Sequence, residues 1–196
     1  MDRREVLRLL GSAVVVSAFP EDALALFHQA HVLAAQSPGL KTFNGHQNAT
    51  VTVIAEMIIP ATDTPGAKSA KVNEFIDLLM SDWYEPAESA RFLDGLADVD
   101  QRTQSLFSKD FVDCSASQQE QILHALDGEA MSFAKRQTAA REAKTPAPTA
   151  NFFYTMKKLT LAGYYTSEIG FEKELRKSII PPSHAGCAPL AAEVNQ

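Results

Sequence analysis

Val72, Phe75, Ile76, Leu79, Met80 and Trp83 fall on one face when the chain is wound at helical period. A stripe this regular dictates an amphipathic helix, and its apolar side has to be covered by other elements. The same period returns at Val51, Ile54, Met57 and Ile58, and again at Phe92, Leu93, Leu96 and Val99. Two further stripes follow, Ile122, Leu123, Leu126, Ala130 and Phe133, then Phe152, Phe153, Met156, Leu159 and Thr160. No alternation of period two persists anywhere, so no segment reads as a half-buried strand. The expected fold is therefore all-α: a single compact helical domain of about five or six helices with long loops.

Punctuation between the stripes supports that division. A helix carrying Val51 to Ile58 ends before Pro60, because proline cannot continue it. Asp63-Thr64-Pro65-Gly66 is turn chemistry, with proline fixing φ and glycine permitting a positive φ. Pro86 suits a first helical turn, and Ser115 followed by Gln118 matches a capping box. Residues 136–144 are charged, and 145–149 (TPAPT) read as a loop. A short helix is expected over 172–179, stopped by Pro181-Pro182.

The N-terminus carries a different message. Arg3 and Arg4 precede Val6-Leu7 and Arg8, and a short, mildly apolar run over 9–19 closes at Pro20. Such a run is too short to span a bilayer, which takes roughly twenty residues. A basic segment ahead of a short apolar one is the pattern of a removable export signal. The run resembles the twin-arginine pattern, with Arg3 and Arg4 as the pair. Ala18, or Ala23 with Ala25, offers a cleavage point, and an ordinary amphipathic helix with solvated arginines is the alternative. The chain thus divides into a signal segment (1–25), a lead-in helix and loop (26–50), the helical domain (51–190) and a tail (191–196).

The residue inventory narrows function mainly by exclusion. Net charge is −6 over 196 residues, with lysine and arginine scattered, which argues against nucleic-acid binding and against anionic membranes. No phosphate-binding glycine loop, nucleophile elbow or HExxH helix occurs. His28 and His31 share a helical face without a third ligand, and His184 with Cys187 supplies only two. Asp94, Asp98 and Asp100, like Asp110 and Asp113, read as solvated acidic faces rather than catalytic pairs. No catalytic residue, metal site or cofactor of its own is therefore expected in this chain. Of the two cysteines, Cys114 reads as a buried small hydrophobe, and Cys187 sits in a glycine- and proline-bounded tail.

Three stretches ask for more than a packing role: 60–67 (PATDTPGA), 163–170 (GYYTSEIG) and 186–190 (GCAPL). Tyrosine-bearing loops and a tail thiol suit the docking of another chain. The candidate contact residues are Asp63, Pro65, Gly66, Tyr164, Tyr165, Ser167 and Glu168. Locally packed tyrosines at a helix end would produce the same pattern.

In their order and spacing, these stretches, with VNEFIDLLM (72–80), RFLDGLADVD (91–100), FVDCSASQQEQIL (111–123) and FFYTMKKLTLAGYYTSEIG (152–170), resemble the gluconate 2-dehydrogenase subunit 3 family. The likeness runs from about Val51 to Leu190 and departs in the tail. There Pro181-Pro182-Ser183-His184 replaces the Pro-Gly turn common in relatives. The resemblance implies a small non-catalytic subunit of a periplasmic dehydrogenase complex. The catalytic partner would be a flavoprotein of the glucose–methanol–choline type, binding FAD and oxidising a sugar, sugar acid or polyol. A cytochrome c subunit carrying haem c would accept the electrons. The small subunit would bear the export signal, need no membrane span of its own, and support the partner's maturation. Cys187 would then be free to bridge to the partner, to Cys114 or to nothing. An independent periplasmic helical protein and a free-standing enzyme are the other readings the residues allow.

Overall fold

Asn44 opens the first helix of the computed structural model, which describes residues 39–146 and 150–178. Its side chain accepts from the Gln47 amide at 2.8 Å, and the Gln47 side chain accepts from the Asn44 amide at 2.9 Å. This reciprocal capping box starts α1, Gly45–Ile58, earlier than its apolar stripe does. From the sequence, the residues up to Asn48 read as a loop or lead-in, because this first turn is polar and carries no periodicity. The helix ends as expected, with the Ile59 amide bonded to the Ala55 carbonyl just before Pro60.

α2, Val72–Asp82, buries Val72, Phe75, Ile76, Leu79 and Met80, and half-buries Trp83. α3, Pro86–Phe107, begins on the anticipated proline and buries Phe92, Leu96 and Val99. After a short 3₁₀ turn, Phe111–Asp113, the Ser115/Gln118 box starts α4, Ala116–Ala143. α5, Phe152–Tyr165, is capped by the Asn151 side chain. A π-helical turn, Ile169–Glu174, follows where a short helix over 172–179 was expected. The turn comes earlier because the Ser167 hydroxyl, itself bonded to the Tyr164 carbonyl at 2.6 Å, receives the Gly170 amide at 3.1 Å. That bond turns the chain over immediately after α5.

α5 is the central element, in contact with all four other α-helices. Phe153, Met156 and Leu159 fill the interior from it, and Gly163 lets it approach α2 closely. A Cβ added at Gly163 would lie 2.7 Å from the Phe75 ring, closer than packing tolerates. Phe43, Phe92 and Phe152 run as an aromatic file, with centroids 6.1 and 5.1 Å apart. Each such ring, once buried, contributes about 1.5–3 kcal/mol.

Phe43 reaches that file because Asp77 holds the strand-free entry segment in place. Its buried carboxylate accepts three backbone amides, from Lys41 at 2.6 Å, Thr42 at 3.0 Å and Phe43 at 2.7 Å. Among the described residues there is no strand, and the five α-helices form one compact all-α unit as expected. None of these helices is long and apolar enough to cross a membrane. The signal segment with Arg3 and Arg4, the histidines at 28, 31 and 184, and the Cys187 tail lie outside the described residues.

Candidate functional site

The loop joining α1 to α2 is built from its own backbone and one carboxylate. The Ala67 amide bonds the Ile59 carbonyl at 2.9 Å, closing the base, and the Thr62 amide bonds the Thr64 carbonyl at 2.9 Å. Glu56, near the end of α1, accepts the Ala61 amide and the Lys68 amide, each at 2.8 Å. A carboxylate placed this way satisfies donors that no helix or sheet reaches.

Gly66 sits inside that cradle, and the reason for a glycine there differs from the expected one. No described glycine has a positive φ. What the site requires is room: a Cβ on Gly66 would come within 2.5 Å of the Ala61 nitrogen and of a Glu56 carboxylate oxygen. The turn is tight in space rather than unusual in dihedral.

The second segment, 163–170, packs directly onto this loop. The Tyr164 hydroxyl donates to the Pro65 carbonyl at 2.7 Å, and the Thr64 hydroxyl donates to a Glu174 carboxylate oxygen at 2.5 Å. Tyr164 and Tyr165 meet edge to face, with centroids 5.2 Å apart and an interplanar angle of 83°. The structure therefore fuses two stretches singled out in the sequence into one surface feature.

It also sorts the candidate contact residues. Tyr164 is 1% exposed, and Ser167 and Gly66 are buried as well. These three hold the loops to each other inside the chain. Asp63, Pro65 and Glu168 stand on the outside, and Tyr165 is half-buried. Tyr164 thus belongs to the core, although its place at a helix end suggested otherwise. Glu56 and Glu174 carry no signal in sequence, since a lone carboxylate on a polar face looks like any other.

Elsewhere the acidic residues settle into structural roles. Asp100 receives the Phe111 amide at 2.9 Å and lies 2.8 Å from His46 Nε2. The hydrogen bond to that carboxylate raises the His46 pKa above its usual value, against a smaller opposing effect of burial. Arg102 joins Asp98 on its own helix to Glu129 of α4, at 2.7 and 2.6 Å. Cys114 is a buried thiol, and burial pushes its pKa up. Among the described residues no group of three potential metal ligands comes together. A groove lined by Tyr84, Glu88, Phe92, Asn151 and Phe152 holds only about 50 Å³. Small-molecule sites usually enclose roughly 300–1,000 Å³, so this groove is too small for a sugar acid.

What the paired loops can do chemically is present a preorganised polar face with little left to order on contact. Residues 45–181, well over half of the chain, match the family model described as Gluconate 2-dehydrogenase subunit 3. No match was found among curated proteins or among solved structures.

Proposed function

From membership in the gluconate 2-dehydrogenase subunit 3 family, to which this chain belongs, we propose that it is the small, non-catalytic subunit of a periplasmic FAD-dependent dehydrogenase complex. The match over residues 45–181 carries this reading. The catalytic subunit would be a flavoprotein of the glucose–methanol–choline type that holds FAD and oxidises a sugar, sugar acid or polyol. A cytochrome c subunit with haem c would take the electrons onward.

This chain's own residues would bind and escort. Arg3 and Arg4 supply the twin-arginine address, which suits cargo that must be folded around its cofactor before export. The outer residues of the paired loops, Asp63, Pro65, Tyr165 and Glu168, form the proposed contact with the flavoprotein. Tyr164, Gly66 and Ser167 support that contact from within. Cys187 adds a candidate intersubunit disulfide, which an oxidising compartment would permit.

Co-expression with a candidate flavoprotein of the glucose–methanol–choline type tests the reading. Wild-type chain should give an exported, active complex. Arg3→Lys with Arg4→Lys should leave the flavoprotein active but inside the cell. Equal export and activity of the flavoprotein without this chain would refute the proposal.

A further inference from the structure

α4 continues well past the body it packs on. Phe133 is its last buried residue, and that ring meets Tyr154 at 5.3 Å, close to where α5 begins at Phe152. The helix nevertheless runs on to Ala143. It overhangs its neighbour by about ten residues, or ~15 Å at the helical rise. None of residues 134–143 is buried. The far end is still properly finished: Lys144 takes the left-handed conformation (φ 52°), and the Thr145 amide closes on the Ala140 carbonyl at 2.9 Å.

The overhang also gathers basic residues in an acidic protein. It carries Lys135, Arg136, Arg141 and Lys144 against one acid, Glu142, in a chain of net charge −6. On the body, Lys41, Lys71, Arg102 and Lys157 are each paired with a carboxylate, and exposed cations without an ion pair among the described residues, such as Lys68, Arg91 and Lys109, stand singly. None of the four cations of the overhang makes an ion pair among the described residues, and all four are exposed. A helix dipole rewards basic residues in the last turn, which accounts for Arg141 and Lys144. The effect fades within that turn, so it does not account for Lys135 and Arg136.

We propose that residues 134–144 form a docking arm for an acidic surface on another protein subunit of the complex; this rests on the accessory-subunit reading above. Charge complementarity identifies the occupant. A second copy of this chain would bring another net charge of −6, so repulsion between the two bodies opposes self-association even where an arm meets an acidic face. A lipid surface needs large apolar side chains for insertion, and the arm has only alanine, threonine and glutamine between its charges. Contacts of this kind at an interface rim speed association, select the partner and weaken in salt.

The test uses full-length tagged chain co-expressed with its flavoprotein, comparing wild type with Lys135→Glu, Arg136→Glu, Arg141→Glu combined. The triple variant should stay folded and melt only slightly below wild type, because all three side chains are exposed and the helix dipole favours Arg141 alone. It should hold the flavoprotein roughly tenfold less tightly, with a flatter salt dependence. The corresponding glutamine variant should fall between the two. Equal retention by the reversed and wild-type chains would overturn the arm while leaving the accessory role intact. Failure of wild type itself to retain the flavoprotein would overturn both. Self-association of the isolated wild-type chain that the reversal abolishes, or equally sensitive binding to phosphatidylglycerol vesicles, would overturn the assignment to a partner subunit.

Discussion

The hydroxyl of Tyr164, near the end of the central helix, donates to the carbonyl of Pro65, 99 residues earlier in the chain, at 2.7 Å. This bond joins the loop after α1 to the last turn of α5. It does so from a side chain whose ring is buried. One residue therefore serves the core and the exposed face together.

Tyr164→Phe keeps the ring and removes the bond. Stability should fall by about 0.5–1.5 kcal/mol, measured by urea unfolding with an unchanged m-value. Tyr164→Ala should cost about 3–5 kcal/mol, because a cavity is added. Equal losses for the two variants would show that the hydroxyl, not the ring, dominates.

Gly66→Ala tests the close-approach account of the loop. The new methyl would meet the Ala61 amide nitrogen and the Glu56 carboxylate, so a loss of roughly 1–3 kcal/mol is expected. A stabilising effect, as reduced unfolded-state entropy alone would give, would contradict the geometry. Amide exchange at Ala61 and Lys68 should rise in step with the loss.

Asp77→Ala strips the acceptor from three backbone amides of the entry segment. A loss of about 2–4 kcal/mol follows from bonds to a charged acceptor. Asp77→Asn should cost less, since its single carbonyl oxygen can still serve the Thr42 and Phe43 amides. Limited trypsin digestion at Lys41 should quicken in the order wild type, Asn, Ala.

His46 makes a modest, pH-dependent contribution. Its folded-state pKa is raised, chiefly by the hydrogen bond to Asp100. A raised pKa means that the contribution is fully present below the unfolded value of about 6.5 and fades as pH climbs through the folded value. Unfolding at several pH values from 6 to 8 should show this slope (roughly the His range), and His46→Gln should flatten it. The ring is substantially exposed, so added salt should weaken the effect.

Thr160 is fully buried on α5, and among the described residues its hydroxyl has no hydrogen-bond partner. Replacing it with valine removes an unpaired polar group at nearly constant shape. Thr160→Val should be neutral or stabilise by up to about 1 kcal/mol. A clear loss of stability would mean that the hydroxyl is satisfied by a buried water.

Helix identity was legible wherever an apolar stripe ran alone. Val72 to Met80 and Phe153 to Leu159 fix α2 and α5 because one face must be covered whatever covers it. The Ser115/Gln118 box and Pro86 place two starts for equally local reasons. The Asn44/Gln47 box was missed although it is the same chemistry, since the turn it caps is polar and offers no period to anchor it. The extent of α4 was missed for a related reason: beyond Phe133 nothing on it is buried, so no stripe marks its continuation.

The two loops were visible in sequence as unusual stretches, yet their meeting was not. Tyr164 looks the same whether its ring faces solvent or lies against Pro65, and Glu56 looks like any surface carboxylate on a helix.

The sequence by itself determined the helices, their faces, the family and the absence of familiar catalytic motifs, because those depend on residues close along the chain. Only the tertiary structure decided that Asp77 anchors the entry segment, that Gly66 is needed for space, and that Tyr164 ties two distant loops. Those roles depend on which atoms approach within hydrogen-bond or van der Waals distance. That is settled by how α5 packs against the other four helices and by no stretch of sequence alone.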